Sequence, residues 1–254
     1  MGIGGRRMKR TRWLSLSIGL LTTGLFVITS PAARAQQTCF GQAPTITGSS
    51  GDDIITGTAG NDVIVGLGGA DSIKGGLGND RICGGGGNDR ISGGPGDDKI
   101  SGGTGIDLIV GGDGSNVLGG GPGGDTIRAG QGADRLYGGS GADRLYGRGG
   151  DDLLKGRGGL DVLFGGADSD DVYGGGGRDR IVGNSGDDRL FGGIKHDVLV
   201  GRTGNDALFG LGGDDRLSGG LGRDSLDGGR GRDRCDGGAG ADTTRHCEMR
   251  FNIP

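Results

Sequence analysis

Apolar side chains recur along this chain at every ninth position. The series begins Ile55, Ile64, Ile73, Ile82, Ile91, Ile100, Ile109, Leu118, Ile127 and Leu136. It continues through Leu145, Leu154, Leu163, Val172, Ile181, Leu190, Leu199, Leu208, Leu217 and Leu226, and ends at Cys235 and Thr244. Ahead of each stands a glycine-rich stretch such as Gly75-Gly76-Leu77-Gly78-Asn79-Asp80. The pattern predicts a very short strand, roughly x-Ile-x or x-Leu-x, with its middle residue turned inward and its flanks outward. Between strands the Gly residues supply a turn, because the backbone must visit positive φ and approach its neighbours closely. One unit cannot close a coil, but two can: strand, turn, strand, turn. Each coil would then rise about 4.8 Å, the spacing of adjacent strands. Eleven coils predict an all-β rod of roughly 50 Å, with two parallel sheets around a thin row of Ile and Leu that only stacking can bury.

Two residues before each apolar position lies an acidic marker. The markers are Asp53, Asp62, Asp71, Asp80, Asp89, Asp98, Asp107, Asn116, Asp125, Asp134 and Asp143, then Asp152, Asp161, Asp170, Asp179, Asp188, Asp197, Asp206, Asp215, Asp224 and Asp233. Asp242 keeps the phase, but its unit has lost the apolar residue to Thr244 and reads as part of a cap. In all, 22 units follow without an insertion or deletion, a register that a flexible glycine-rich linker does not need.

The phase of the carboxylates points to a cation. Stacked units bring one Asp over another about 5 Å away, along both edges of the rod, and like charges repel. An all-oxygen set of carboxylates and carbonyls with loose geometry suits Ca²⁺, whereas Mg²⁺ demands a tighter octahedron. Zn²⁺ prefers Cys or His, and the only histidines are His196 and His246. The stacked partners lie two units apart, for example Asp53 with Asp71 and Asp62 with Asp80. Eleven turns per edge allow up to about 20 inter-turn ions, and binding should be coupled to folding. Four units depart from the pattern: Asp168 and Lys195 replace a turn Gly, Ala129 replaces a leading Gly, and Asn116 replaces a marker.

Composition agrees with a fixed use of Gly, since 69 of 254 residues are Gly and only 5 are Pro. Residues 1–35 read as a signal peptide. Arg6, Arg7, Lys9, Arg10 and Arg12 precede an apolar run from Trp13 to Thr29, and Ala33-Arg34-Ala35 forms a small-x-small cleavage signature. A general secretory signal and a twin-arginine route explain the leader equally well. Taking away its six basic residues leaves 22 Lys+Arg against 32 Asp+Glu, a side-chain charge of −10. Such a surface suits cations and disfavours nucleic acid. Cys39, Cys83, Cys235 and Cys247 follow the leader, so two disulfides are expected. Three connectivities exist. Cys83 follows the inward Ile82 and faces outward within reach of Cys39, while Cys247 can fold back over Cys235, which favours those two pairs. Ile46 keeps the period one step upstream with Pro44 at its marker position, so 36–47 reads as an N-terminal cap, 48–245 as the repeats and 246–254 as a tail.

The unit Gly-Gly-x-Gly-x-Asp-x-(Ile/Leu)-x resembles the RTX, or haemolysin-type, calcium-binding nonapeptide. That resemblance implies a right-handed parallel β-roll (β-solenoid) of 18-residue coils, with Ca²⁺ held in the turns by Asp carboxylates and backbone carbonyls. The family's large toxins and proteases carry catalytic or pore-forming domains. Here the repeats fill nearly the whole chain after the leader, so this sequence is more similar to small secreted bacterial members, and enzymatic function does not carry over.

Outward strand positions carry Arg81, Arg90, Lys99, Arg135, Arg144, Arg180, Arg189, Arg216 and Arg234, which balance the carboxylates and keep flat faces soluble. Tyr137, Tyr173, Phe191 and Phe209, with Lys155 between the first two, should share one face; Tyr146 and Phe164, followed by Val182 and Val200, the other. Such aromatics stabilise cross-strand stacking or form a contact patch for a cell-envelope partner or a second copy. No nucleophile elbow or zinc-protease helix is present, and no second domain forms a cleft. The sequence therefore predicts a non-enzymatic calcium-binding protein, secreted or attached to the cell surface. A structural or adhesive rod, in which calcium serves only as scaffold, is the other reading.

Overall fold

The period-nine pattern winds into two parallel sheets of twelve strands each among the residues described, 38–251 of a computed structural model. The predicted leader over 1–35 lies outside those residues. Strands alternate between the sheets. The first sheet runs from Ile46–Thr47 through Val63–Gly68 to Thr243–Arg245, and the second from Ile54–Thr56 through Ser72–Lys74 to Met249–Phe251. Up to the last repeat every strand pairs with the one 18 residues on in unbroken register: Ile64 on Ile82, Leu136 on Leu154, Leu199 on Leu217; only the final strand, Met249 on Arg234, shortens the step to 15. The coil is therefore two repeats long, as the spacing predicts.

The inward position of each repeat stacks into one narrow core that runs from Ile55 to Cys235, with Ile46 against one end and Cys247 at the other. Ile64, Leu136 and Leu208 have no exposed surface. Two aliphatic side chains per 18-residue coil is a thin core, so the roll must draw stability from its turns as well.

Many strands are longer than the x-Ile-x predicted. Arg135–Ser140, for example, continues past its apolar centre into the following glycines, because Gly139 keeps pairing with Arg157 in the next coil. The ends are closed covalently. Cys39 bonds to Cys83 and Cys235 to Cys247. The Cys39 sulfur sits in a small satellite cluster with Val63 and Val65. The final strand Met249–Phe251 pairs with Arg234–Ala239 and extends the second sheet beyond the last repeat.

Aromatic side chains stack up the outside of the rod at strand spacing. Tyr173, Phe191 and Phe209 form one continuous stack with centroids 4.6 and 4.9 Å apart, and Lys155 caps it over Tyr173. Tyr146 stacks on Phe164 on the other sheet. The rings are parallel to one another, so they stand edge-on to solvent and contribute as cross-strand pairs.

Candidate metal centre

Each nine-residue unit can be numbered so that Asp is position six and the inward aliphatic position eight. The turn is then positions one to five. Position one is Gly in every unit except that of Asp134, which has Ala129. A Cβ explains why. Built on Gly75 it would collide with Oδ2 of Asp80 and the carbonyl oxygen of Gly93 one coil on; built on Gly147 it would meet Oδ2 of Asp152 and the carbonyl of Gly165. Position one thus keeps open a cradle in which a carboxylate oxygen and a backbone oxygen of the next coil converge.

The two oxygens of each marker have different fates. Oδ1 accepts the backbone N–H of the marker one coil earlier, as in Asp71 N to Asp89 (2.9 Å), Asp143 N to Asp161 (2.9 Å) and Asp197 N to Asp215 (2.7 Å). These bonds form a continuous ladder on both edges, from Asp53 bonding to Asp71 up to Asp224 bonding to Asp242. They place the marker side chains almost wholly out of solvent: Asp125 and Asp233 are 0% exposed. Oδ2, by contrast, is buried with no hydrogen-bond partner in eighteen markers among the described residues. A buried carboxylate oxygen without a partner costs about 1–3 kcal/mol or more, and here the defect repeats along the whole rod.

The markers that escape this fate show what Oδ2 is missing. In the first repeats position two is Ser49 or Thr58 rather than Gly. Ser49 donates its N–H (2.6 Å) and hydroxyl (3.0 Å) to Asp53 Oδ2, and Thr58 donates the same pair to Asp62 Oδ2 at 2.7 and 2.8 Å. Asp134 Oδ2 receives the N–H of Gly130 at 3.3 Å. At Asn116 the terminal atom is itself a donor, and its Nδ2 bonds to the carbonyls of Gly112 (3.2 Å) and Gly114 (3.3 Å), positions two and four of its own turn. The place occupied by Oδ2 elsewhere is therefore faced by carbonyl oxygens, and either a donor or a cation satisfies it.

Backbone conformation separates the same two groups. Position two has positive φ in all eighteen units with an unpartnered Oδ2, including Leu67, Arg148, Arg157, Asn184, Arg202 and Leu211. It lacks positive φ at Ser49, Thr58 and Gly130, whose N–H groups instead turn toward the carboxylate. Asp168 and Lys195, which replace Gly at position four, adopt positive φ as well, and Asp170 and Asp197 keep the unpartnered geometry. The substitutions that disrupt the pattern are thus Ala129, Asn116 and two hydroxyl residues. Ser49 and Thr58 leave the phase of the carboxylates unchanged, and the sequence shows them only as a side-chain donor four residues before Asp53 and Asp62.

Electrostatics follow the geometry. Burial, with neighbouring markers adding repulsion, pushes the Asp170 carboxyl up to about 8 and those of Asp152, Asp161, Asp188 and Asp197 up to about 7. Asp89, Asp98, Asp125, Asp206 and Asp215 rise to about 6 for the same reason. Asp62 moves the other way, lowered chiefly by the Thr58 N–H. No three His, Cys, Asp or Glu side chains converge among the described residues. An ion here would be held by one or two carboxylates and backbone carbonyls, an all-oxygen donor set that fits Ca²⁺ and does not fit Zn²⁺.

Family comparison supports the same chemistry. The model of the RTX calcium-binding nonapeptide repeat matches in eight overlapping stretches, 47–82, 56–91, 84–118, 92–127, 119–154, 146–181, 182–217 and 209–244. The chain belongs to this family. As an RTX protein it is a repeat scaffold of calcium-binding type, not an enzymatic fold, and its Asp ladder and unpartnered oxygens fit multiple calcium sites. Its two disulfides fit an extracellular, oxidising setting. No helix among the described residues is long and apolar enough to cross a membrane. No curated relative matches the chain. Among solved structures it is similar to a hyperactive, Ca²⁺-dependent, β-helical antifreeze protein from an Antarctic bacterium, at 20% identity and a TM-score of 0.47, over 76% of this chain and 83% of that one.

Proposed function

We propose that this RTX protein is a secreted calcium-binding roll that completes its fold by taking up Ca²⁺ at the eighteen turns whose Oδ2 is unpartnered. The observation that supports this reading is the contrast within one chain: wherever a hydroxyl, amide or N–H reaches the marker, the turn is satisfied, and everywhere else a cation is wanted. The edge that runs from Asp71 to Asp233 offers ten such turns without interruption. The other offers Asp80 and Asp98, then a gap at Asn116 and Asp134, then six turns from Asp152 to Asp242. Asp53, Asp62, Asn116 and Asp134 are structural members of the ladder rather than principal ligands. Carboxylates and turn carbonyls hold the ion, and the ion offsets the repulsion between stacked turns.

Circular dichroism during Ca²⁺ titration of the oxidised protein, paired with calorimetric stoichiometry, tests the proposal. The β signal should grow with half-saturation in the range of about 0.1–1 mM expected of extracellular calcium modules. The stoichiometry should lie well above two and not exceed eighteen. Full β signal in calcium-stripped buffer, or one or two bound ions, would leave the ladder without its function.

A further inference from the structure

The two outer faces of the roll treat their cations differently. On the first sheet, between Arg135–Ser140 and Ala207–Gly212, three of the four basic side chains are engaged: Arg189 bonds to Asp171, Lys155 lies over Tyr173, and Arg157 over Tyr137, while Arg135 is exposed. On the second sheet the five successive strands Arg144–Gly149, Val162–Ala167, Arg180–Ser185, Val198–Thr203 and Arg216–Leu221 contain five Arg and no Asp or Glu. Arg144, Arg180 and Arg216 are exposed and form no ion pair or side-chain hydrogen bond among the described residues. They stand in one column, in register through Val162 and Val198, so they are two strands apart, about 9.6 Å. Exposed Arg178, beside Arg180 in sequence, adds a further charge along that edge, and Val162 and Val198 supply apolar contact between the guanidinium groups.

We propose that this face binds an extended acidic polysaccharide with one anionic group per disaccharide, a repeat of the same order as two strand spacings. A rigid ladder presents its charges at fixed intervals, which a linear polymer of regular charge can match group for group. The Arg forks bind carboxylate or sulfate, and the intervening Val residues accept the apolar faces of sugar rings. The inference rests on calcium loading for its strength: residues 36–254 carry −10, each Ca²⁺ brings +2, and the sixth ion turns the roll net positive.

Hyaluronan oligosaccharides, with one carboxylate per disaccharide, are a suitable probe, titrated calorimetrically into the oxidised protein at saturating Ca²⁺. Binding is expected, and R144S/R180S/R216S should weaken it about ten-fold or more, because three charge contacts are lost. R81S/R135S/R223S removes the same charge elsewhere and should stay within about two-fold. Equal loss in both variants, no binding to the wild type, or equally tight binding of neutral dextran, duplex DNA or anionic lipid vesicles would overturn the proposal. Dichroism of the same samples separates the two readings: calcium-induced β signal without hyaluronan binding removes this surface alone, while its absence removes the calcium ladder.

Discussion

At the scale of the residue, one atom decides whether a turn needs a metal. From Asp71 onward the first side-chain oxygen, Oδ1, of each marker is committed to the ladder, so the contest is over Oδ2, and an amide can resolve it as Asn116 does. Asp161→Asn should therefore place a donor against the carbonyls of Arg157 and Gly159. Calorimetry should show one ion fewer, and the calcium-free form should gain about 1 kcal/mol, the net worth of a buried hydrogen bond that replaces a defect. Asp62→Asn should leave the ion count unchanged and cost about 1 kcal/mol, since it disturbs the bonds from Thr58. An unchanged count for Asp161→Asn, or a lost ion for Asp62→Asn, would contradict the assignment. Much of this was legible in the sequence: the phase of the Asp residues located every marker. The distinction between unpartnered and self-satisfied turns was not, because it depends on a peptide orientation at position two, which Ser49 and Thr58 alter without changing the period.

At the scale of the element, turn and strand are less separate than the repeat suggests. Aliphatic spacing marks the strand centre, but pairing continues through Gly139 to Ser140 because adjacent coils share the same turn geometry. Nothing in side-chain polarity signals that extension. In the unpartnered turns the same geometry imposes positive φ on position two even where the residue has a Cβ. Leu211 has φ 72° and is 49% exposed, so it endures the strain without contributing to the core. A left-handed non-glycine residue costs about 1–2 kcal/mol, partly offset on mutation by the greater freedom of Gly in the unfolded chain. Leu211→Gly should accordingly stabilise the calcium-loaded roll by about 0.5–1 kcal/mol, a rise of about 2 °C in Tm, with the ion count unchanged. A fall in Tm would mean that Leu211 makes a contact worth more than its backbone strain.

At the scale of the whole molecule, the carboxylates act as one titrating ladder, and this sets opposite pH responses with and without calcium. In the ion-free fold Asp152, Asp161, Asp170, Asp188 and Asp197 hold protons up to about 7–8, whereas unfolded Asp releases its proton near 3.9. Between those values the folded chain carries more bound protons than the unfolded one, so its stability must fall as pH rises. The protons do what the ions would do: they remove charge from buried, stacked oxygens. Melting in calcium-stripped buffer should thus give a higher Tm at pH 5 than at pH 8. With Ca²⁺ present the order should invert, because the ion binds only the deprotonated ladder, and its half-saturation concentration should rise as pH falls. The Asp62 turn works against the first trend, since its carboxyl is lowered by Thr58 and loses stability on protonation, but it is one turn against many. Thermal melts at the two pH values, each with and without calcium, measure all four corners. A calcium-free roll that is more stable at pH 8 would show that its buried carboxylates are already compensated, and the need for a cation would disappear.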